Sequence, residues 1–414
     1  MFSEYSENGP NLFGNNGKLR ASFRVKGIHV TMANTLRRAI LTLTPSVGFR
    51  TEPYEKSDVV VKTNTTPLVN DMIVHRVGMI PIYADPLTFD PARYEFVLDK
   101  ENNTKELMDV RAADFKVFMR NPENPLEAPT EVPAAQFFPA DPITGDTCLI
   151  TRLRPQWNPT APNERISLKA KASVSTGAEN IRWCPVSQCS YEYTRDNNPE
   201  HIKAVFDKWL VTNKKIVDPS SLDETRRGEL EREFNTMEIQ RCYFTNEKGD
   251  PNDFTFFVES IGVIPIPEIV KAAIAACEGL VDKYKDLDGV LAPNVRVQQG
   301  DSRFPTVDVI FQNESHSLGN LMETYIVENH IDGGDEPKAT YVGYKVPHPL
   351  RPEMFVRVGV TVDDTETQKQ SVRLIIATAC RKLKEQFRQL QGQWSASASA
   401  SASASASASA SASS

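Results

Sequence analysis

TMANTLRRAILTLTP, residues 31–45, carries Met32, Leu36, Ile40 and Leu43 at helical spacing, and Pro45 closes the helix that this spacing predicts. It follows a strand-like run, LRASFRV at 19–25. The same layout returns far downstream, where TVDVIF at 306–311 leads into SLGNLMETYIVEN at 317–329. There Leu318, Leu321, Met322, Tyr325 and Ile326 mark one helical face, and Asn320 holds the place that Asn34 holds in the first helix. A strand and an amphipathic helix, met twice in one chain, form an internal repeat.

Each copy also ends in a long amphipathic helix. In the first, Ile269, Ala273, Ala276, Leu280, Tyr284 and Leu287 recur behind Pro267, a favoured early helical position. In the second, Val372, Ile376, Ala379, Leu383, Phe387 and Leu390 repeat the same steps, and Thr365 with Gln368 offers a capping box. Two related units with apolar stripes to cover are expected to pack face to face as a pseudo-two-fold pair, like a homodimer folded from one chain. The first unit is placed at 15–50 and 237–288, the second at 305–394, with a linker at 289–304. If flexible, the joint DGVLAPNVRVQQGDSRF, 288–304, spans about 20–25 Å, at roughly 5–6 Å times the square root of its length.

Residues 51–236 interrupt the first unit and read as an inserted α+β domain. It opens on strand-like DVVVKTN and alternating RYEFVLDK, and its prolines between Pro122 and Pro162 favour loops and short strands. HIKAVFDKWLV then has apolar residues at 202, 205, 206, 209 and 210, whereas SLDETRRGELEREF reads as a solvated helix. The alternating Ser/Ala stretch at 395–414 cannot bury a core and is expected to be a flexible tail, an engineered linker or a placeholder.

A 40% apolar share is enough for ordinary cores in 414 residues. No run is long and apolar enough to span a membrane, and MFSEYSENGPN has neither region of a signal peptide, so an intracellular soluble protein is expected. Of six cysteines only Cys184 and Cys189 lie close together, with no second pair or histidine nearby, which favours reduced thiols over a metal site. A net charge of −7 without a basic cluster argues against direct, tight binding to nucleic acid.

Enzymatic patterns are missing. GNNGK at 14–18 is too short between its glycines to cradle phosphate, no GxSxG elbow or HExxH helix occurs, and DKYKDLDG lacks the alternating ligands of a calcium loop. His316 and His348 have no carboxylate or cysteine at ligand spacing. In YVGYKVPHPL, 341–350, Pro347 and Pro349 fix the backbone around His348 and suit a defined, packed corner at the end of a strand. Arg37 and Arg38 flank the first apolar stripe, as a solvated helix edge or as interface arginines.

These blocks resemble the α-like subunits of cellular RNA polymerases. TMANTLRRAILTLTPSVGF looks like their signature helix, and LVNDMIVHRVGMIPI is similar to a second block through Asp71, His75, Arg76, Gly78, Ile80 and Pro81. KASVSTGAENIRWCPV resembles a third through Gly177, Trp183 and Pro185, and FTFFVESIGVIPIPEIVKAAI a fourth through Phe256, Glu259, Ser260, Gly262 and Pro267. NESHSLGNLMETYIV with YVGYKVPHPL resembles the small partner of that subunit, matching at His316, Leu318, Gly319, Asn320 and Leu321, then Gly343, Tyr344, Pro347, His348 and Pro349. Residues 83–147 hold no cysteine, so the zinc loop of many relatives is not expected here, and no other cofactor is.

The resemblance implies an α+β fold, a pseudo-two-fold pair of α-like dimerisation units with an inserted α+β domain in the first. It implies a non-catalytic assembly platform of a multisubunit DNA-directed RNA polymerase. Its partners would be the largest and second-largest subunits and small assembly subunits, with DNA met only through the complex and no membrane. Met32, Asn34, Leu36, Ile40, Leu318, Gly319, Asn320, Met322 and Ile326 are expected at the pairing interface. Arg37, Arg38, His75, Arg76, Gly177 and Trp183 are expected to face a large subunit, and Gly343, Tyr344, Pro347, His348 and Pro349 to be structural. Fusion of the two partners is similar to what large cytoplasmic DNA viruses encode, which implies infected-cell cytoplasm or nucleus, and the virion, as locations. A transcription-related scaffold outside the polymerase core is the alternative.

Overall fold

A computed structural model describes every residue except 1, 12–17, 122–126, 157–159, 161, 217, 219–221, 301–304, 363 and 412–414. The chain begins with β1 (Phe2–Asn11), β2 (Lys18–Lys26), α1 (Val30–Thr42) and β3 (Pro45–Gly48). Next come β4 (Val59–Asn64), α2 (Asn70–Gly78), β5 (Tyr94–Glu101), β6 (Met108–Arg111), β7 (Lys116–Met119) and β8 (Thr130–Val132). They are followed by β9 (Leu149–Leu153), β10 (Arg165–Ala170), β11 (Ser173–Thr176), β12 (Val186–Tyr193), α3 (Pro199–Asn213) and α4 (Glu224–Met237). The remaining elements are β13 (Asp253–Ser260), α5 (Ile266–Asp282), β14 (Val295–Gln299), β15 (Thr306–Gln312), α6 (His316–Ile326), β16 (Tyr341–Lys345), β17 (Glu353–Gly359) and α7 (Thr365–Ser411).

The repeat takes form as two antiparallel sheets of one design, ordered β1-β2-β13-β12 and β14-β15-β17-β16. In each, the second strand leads into a short amphipathic helix, α1 or α6, and the third into a long one, α5 or α7. Alternation in β2 and β13 turns Ala21, Phe23, Val25, Phe254, Phe256 and Val258 inward. All four helices pack on one another and on the sheets, so both units share a single hydrophobic core.

Several boundaries differ from the sequence reading. β12 lies inside the span assigned to the insertion, yet it pairs with β13 in the first sheet. The insertion is therefore two separate bodies. One contains the five-stranded sheet β4-β10-β5-β7-β8, the β6–β9 and β3–β11 ribbons and α2, around Phe49, Phe96, Phe115, Phe137 and Phe138. The other is the hairpin of α3 and α4, capped by Asn198 and Asp223 and held by Phe206, Trp209, Leu210, Leu230 and Phe234. The linker is not free chain either, because β14 pairs with β15.

β1 adds an edge strand ahead of the first unit, whose expected start at 15, like most of GNNGK, lies outside the described residues. Its polar sequence hides the reason: Phe2 and Tyr5 pack edge-on against Trp394, at 5.0 and 5.6 Å between ring centres. α1 ends at Thr42, and Pro45 instead begins β3. The cap of α7 is Asp364, whose carboxylate accepts from the Thr367 N–H at 2.8 Å, while Gln368 is buried and bonded to Val362 and Gln299. α7 then runs on through the Ser/Ala stretch to Ser411, since alanine is the best helix former and nothing there breaks the helix.

Candidate interaction interface

α1 and α6 cross the seam between the units, and their register can be read from two side-chain bonds. The Thr31 hydroxyl donates to the Thr324 hydroxyl at 3.3 Å, and Arg38 Nε donates to the Ser317 hydroxyl at 2.7 Å. The helices are thus antiparallel. If Asn34 corresponds to Asn320, then Thr31 corresponds to Ser317 and Arg38 to Thr324, so the pseudo-two-fold exchanges one bond for the other. Between them Met32, Leu36 and Ile40 meet a core that also contains Leu318, Met322 and Ile326. Asn34 and Asn320 are half-buried, and the Asn34 side-chain carbonyl accepts from Arg37 Nε at 3.1 Å.

α5 and α7 form the second contact between units. Arg388 meets Glu278 at 2.7 Å, Arg381 meets Asp288 at 2.6 Å, and Lys384 meets Asp282. The Lys384 and Arg381 cations hold the Asp282 and Asp288 carboxyls below their ordinary range through hydrogen bonds. Tyr284 of the first unit reaches into the second, its hydroxyl donating to Glu314 at 2.8 Å and its ring meeting Phe311 edge-on at 4.9 Å. Burial, and then the Glu314 charge, push the phenol upward. At the far end Trp394 Nε1 donates to Pro267 O at 3.0 Å.

Beside the seam, the loop at 177–185 closes over the end of α1. Ala178 N donates to Thr42 O at 2.9 Å, and a side chain at Gly177 would collide with the Leu41 carbonyl. Arg50 holds Glu179 bidentately at 2.7 and 3.1 Å, bringing that carboxyl down to about 2.

A family model described as RNA polymerase Rpb3/Rpb11 dimerisation domain matches residues 22–280, and a second model of the same description matches residues 306–393. The chain belongs to this family. It is 30% identical over 283 residues to the DNA-directed RNA polymerase subunit Rpo3 of Methanopyrus kandleri, covering 64% of this chain and 90% of that protein. Subunit RPAC1 of DNA-directed RNA polymerases I and III from Homo sapiens is 26% identical over 306 residues, 65% of this chain and 81% of its own. Subunit RPB3 of DNA-directed RNA polymerase II from Schizosaccharomyces pombe is 25% identical over 299 residues, covering 66% and 86% respectively.

In this Rpb3/Rpb11-family chain the remaining candidate residues lie in several places. Arg38 is half-buried, as Arg37 is, and its Nε is engaged with Ser317 at the seam. Trp183 is buried beneath Gly48, with Arg50 and Arg182 over its ring, so it positions the loop and offers no outer contact. Arg37 remains at the edge of α1, beside a groove along β12. His75 and Arg76 are exposed on α2, and Arg76 also donates to Leu149 O at 2.9 Å.

Gly319 and Tyr344 unite the two blocks of the second unit, since the Tyr344 ring lies where a Gly319 side chain would be, and His316 meets that ring edge-on. The corner at Pro347, His348 and Pro349 is exposed and not packed; His348 Nδ1 accepts from the local Leu350 N–H, at 3.1 Å. Among the described residues no cluster of His, Cys, Asp and Glu is arranged to hold a metal ion, and no helix is long and apolar enough to cross a membrane. The interlocked charges of α5 and α7 escaped sequence reading, because nothing local sets Glu278 opposite Arg388.

Proposed function

We propose that this chain is the assembly platform of a multisubunit DNA-directed RNA polymerase, combining an Rpb3-like and an Rpb11-like partner in one polypeptide. It is a non-catalytic subunit: its pairing is intramolecular, and the paired platform docks the largest and second-largest subunits, with small assembly subunits beside them. One observation carries this reading, namely that the same dimerisation-domain description matches the chain twice and both matches contribute to one core. Buried, obligate pairing of this kind resembles a domain core divided between two units.

Arg37, His75, Arg76 and the 177–185 loop form the docking side, a reading supported by the exposure of His75 and Arg76 and by Arg37 standing beside the β12 groove. DNA is reached only through the complex, and the protein works in the soluble interior of the cell. The covalent joining of the two units is the ground for a viral source, although none of the relatives named above is viral.

Purification of complexes through this chain, followed by mass spectrometry, is expected to recover both large polymerase subunits. Their absence places the chain in a transcription-related scaffold outside the polymerase core. Arg37→Glu with His75→Glu is expected to leave the free chain folded and to abolish recovery of the second-largest subunit; normal recovery sinks the assignment of these residues.

A further inference from the structure

β4 is the outermost strand of the five-stranded sheet, and a groove of about 560 Å³ runs between it and α2. Val59, Val60 and Val61 all line this groove. Consecutive side chains of a strand point to opposite faces, so a groove touching all three follows the strand's edge. The backbone gives the same answer. Val59 N donates to the Ser57 hydroxyl at 3.2 Å and Val59 O accepts from it at 3.0 Å, so Val59 turns its backbone groups away from the ladder. Pairing with β10 stays in register from Val59 to Val61, and Val61 therefore points its N–H and C=O to the same open side.

An open edge of this kind is a template for another strand. The opposite edge of the sheet is blunted: β8 spans only Thr130–Val132, includes Glu131 and runs into Pro133. β4 is not blunted in this way, for Val60 is 58% exposed and Tyr54, beside it in the groove, 86%. The charges define the occupant. Glu52, Glu55 and Asp71 line the groove beside His75, and among the described residues lining it there is no lysine or arginine.

We propose that β4 accepts an extended segment of a partner polymerase subunit as a sixth strand, bonded to the Val61 backbone. The segment carries lysine or arginine toward Glu52, Glu55 and Asp71 and an apolar side chain toward Tyr54 and Val60. This inference rests on the polymerase reading and names how the insertion engages a partner.

The experiment is hydrogen exchange at the Val61 amide, measured in the full chain alone and in the polymerase purified through it. Strand addition slows this amide about tenfold or more in the complex. Equal rates overturn the proposal. Val61→Pro removes the donor at an edge that tolerates proline, and it is expected to lower the yield of complex while the free chain keeps its circular dichroism; an undiminished yield also overturns the proposal. Should this variant unfold, Glu52→Lys with Glu55→Lys changes only exposed side chains and must lower the yield as well. Recovery of large subunits with an unprotected Val61 refutes strand addition alone, whereas failure to recover them with the unaltered chain refutes the polymerase reading.

Discussion

Aligning α1 with α6 on Asn34 and Asn320 sets Met32, Ala33, Thr35, Leu36, Ala39 and Ile40 against Leu318, Gly319, Leu321, Met322, Tyr325 and Ile326, and all twelve are buried. The charged positions do not follow that symmetry. Arg37 corresponds to Glu323, whose carboxyl is pushed upward by burial. Glu278, Asp282 and Asp288 of the first unit face Arg388, Lys384 and Arg381 of α7. On the sheets the polarity also reverses: Arg24 of β2 grips Asp253 of β13, while Asp308 of β15 is gripped by Arg357 of β17. The matched stripes make two units pair, and the charges that cross the seam, between the acids of the first unit and the cations of α7, bias which unit pairs with which. The reversed bridges on the sheets stay within each unit. With the stripes of α5 and α7 matched step for step, Arg381, Lys384 and Arg388 fall on Glu278, Val281 and Lys285. Two copies of the first unit would therefore set Asp288 against Glu278 and leave Asp282 facing Val281, while Glu278 would keep a cation in Lys285; the first two changes favour the intramolecular pair.

The severest way to break the comparison is through the shared core. Leu36→Ala and Met322→Ala each remove a fully buried side chain and are expected to cost about 2–5 kcal/mol, read from the urea midpoint. Because one core serves both units, either change should speed hydrogen exchange in both sheets. Acceleration confined to β2 and β13 for Leu36→Ala would show that the units are two cores in contact.

The reversed salt bridges come next. Asp253 and Asp308 are nearly buried, and removing their arginine leaves each carboxylate without its main partner. A fully buried pair broken this way costs about 3–5 kcal/mol; both arginines are partly exposed, so about 2–3 kcal/mol is expected for Arg24→Ala and somewhat less for Arg357→Ala. Arg24 also lies over Phe244, at 5.0 Å, and pairs with Glu4, which makes its loss the larger one. Equilibrium unfolding of the two variants tests that order.

How much of this was legible follows from the range of each interaction. The stripes of α1, α5, α6 and α7 could be read because period 3.6 is a local property, and the Asn34/Asn320 correspondence carried the pairing with it. The insertion's limits could not be read, since β12 looks like any short strand until β13 pairs with it. Trp183 and Arg38 were assigned outward because sequence gives a side chain's chemistry but not its direction; Gly48 makes room for one and Ser317 holds the other. β1 stayed hidden because its partner Trp394 lies at the other end of the folded chain.

The charges between α5 and the long second helix sharpen the comparison further. Exposed pairs contribute about 0.2–1 kcal/mol each, so Arg381→Glu, Lys384→Glu and Arg388→Glu together are expected to cost about 1–3 kcal/mol at low salt. Screening should erase much of that loss in 1 M salt, where the Debye length falls to about 3 Å. A loss that ignores salt assigns the effect to the packed stems of these side chains and not to their charge.

The smallest expected effect concerns acid. Asp282 and Asp288 have folded pKa values held below the unfolded ones by Lys384 and Arg381, so the unfolded state takes up protons first as pH falls. Their contribution is fully present above the unfolded value of about 3.9 and is lost as pH drops through the folded values. Asp282→Asn with Asp288→Asn should therefore be less stable than the unaltered chain at pH 7, with the difference shrinking toward zero as acid is added. A difference that persists unchanged to the lowest pH would mean that these carboxylates act as neutral hydrogen-bond acceptors, and the charge-based choice of partner would fall with them, since Arg388 corresponds to Lys285 and its pair with Glu278 does not tell the units apart.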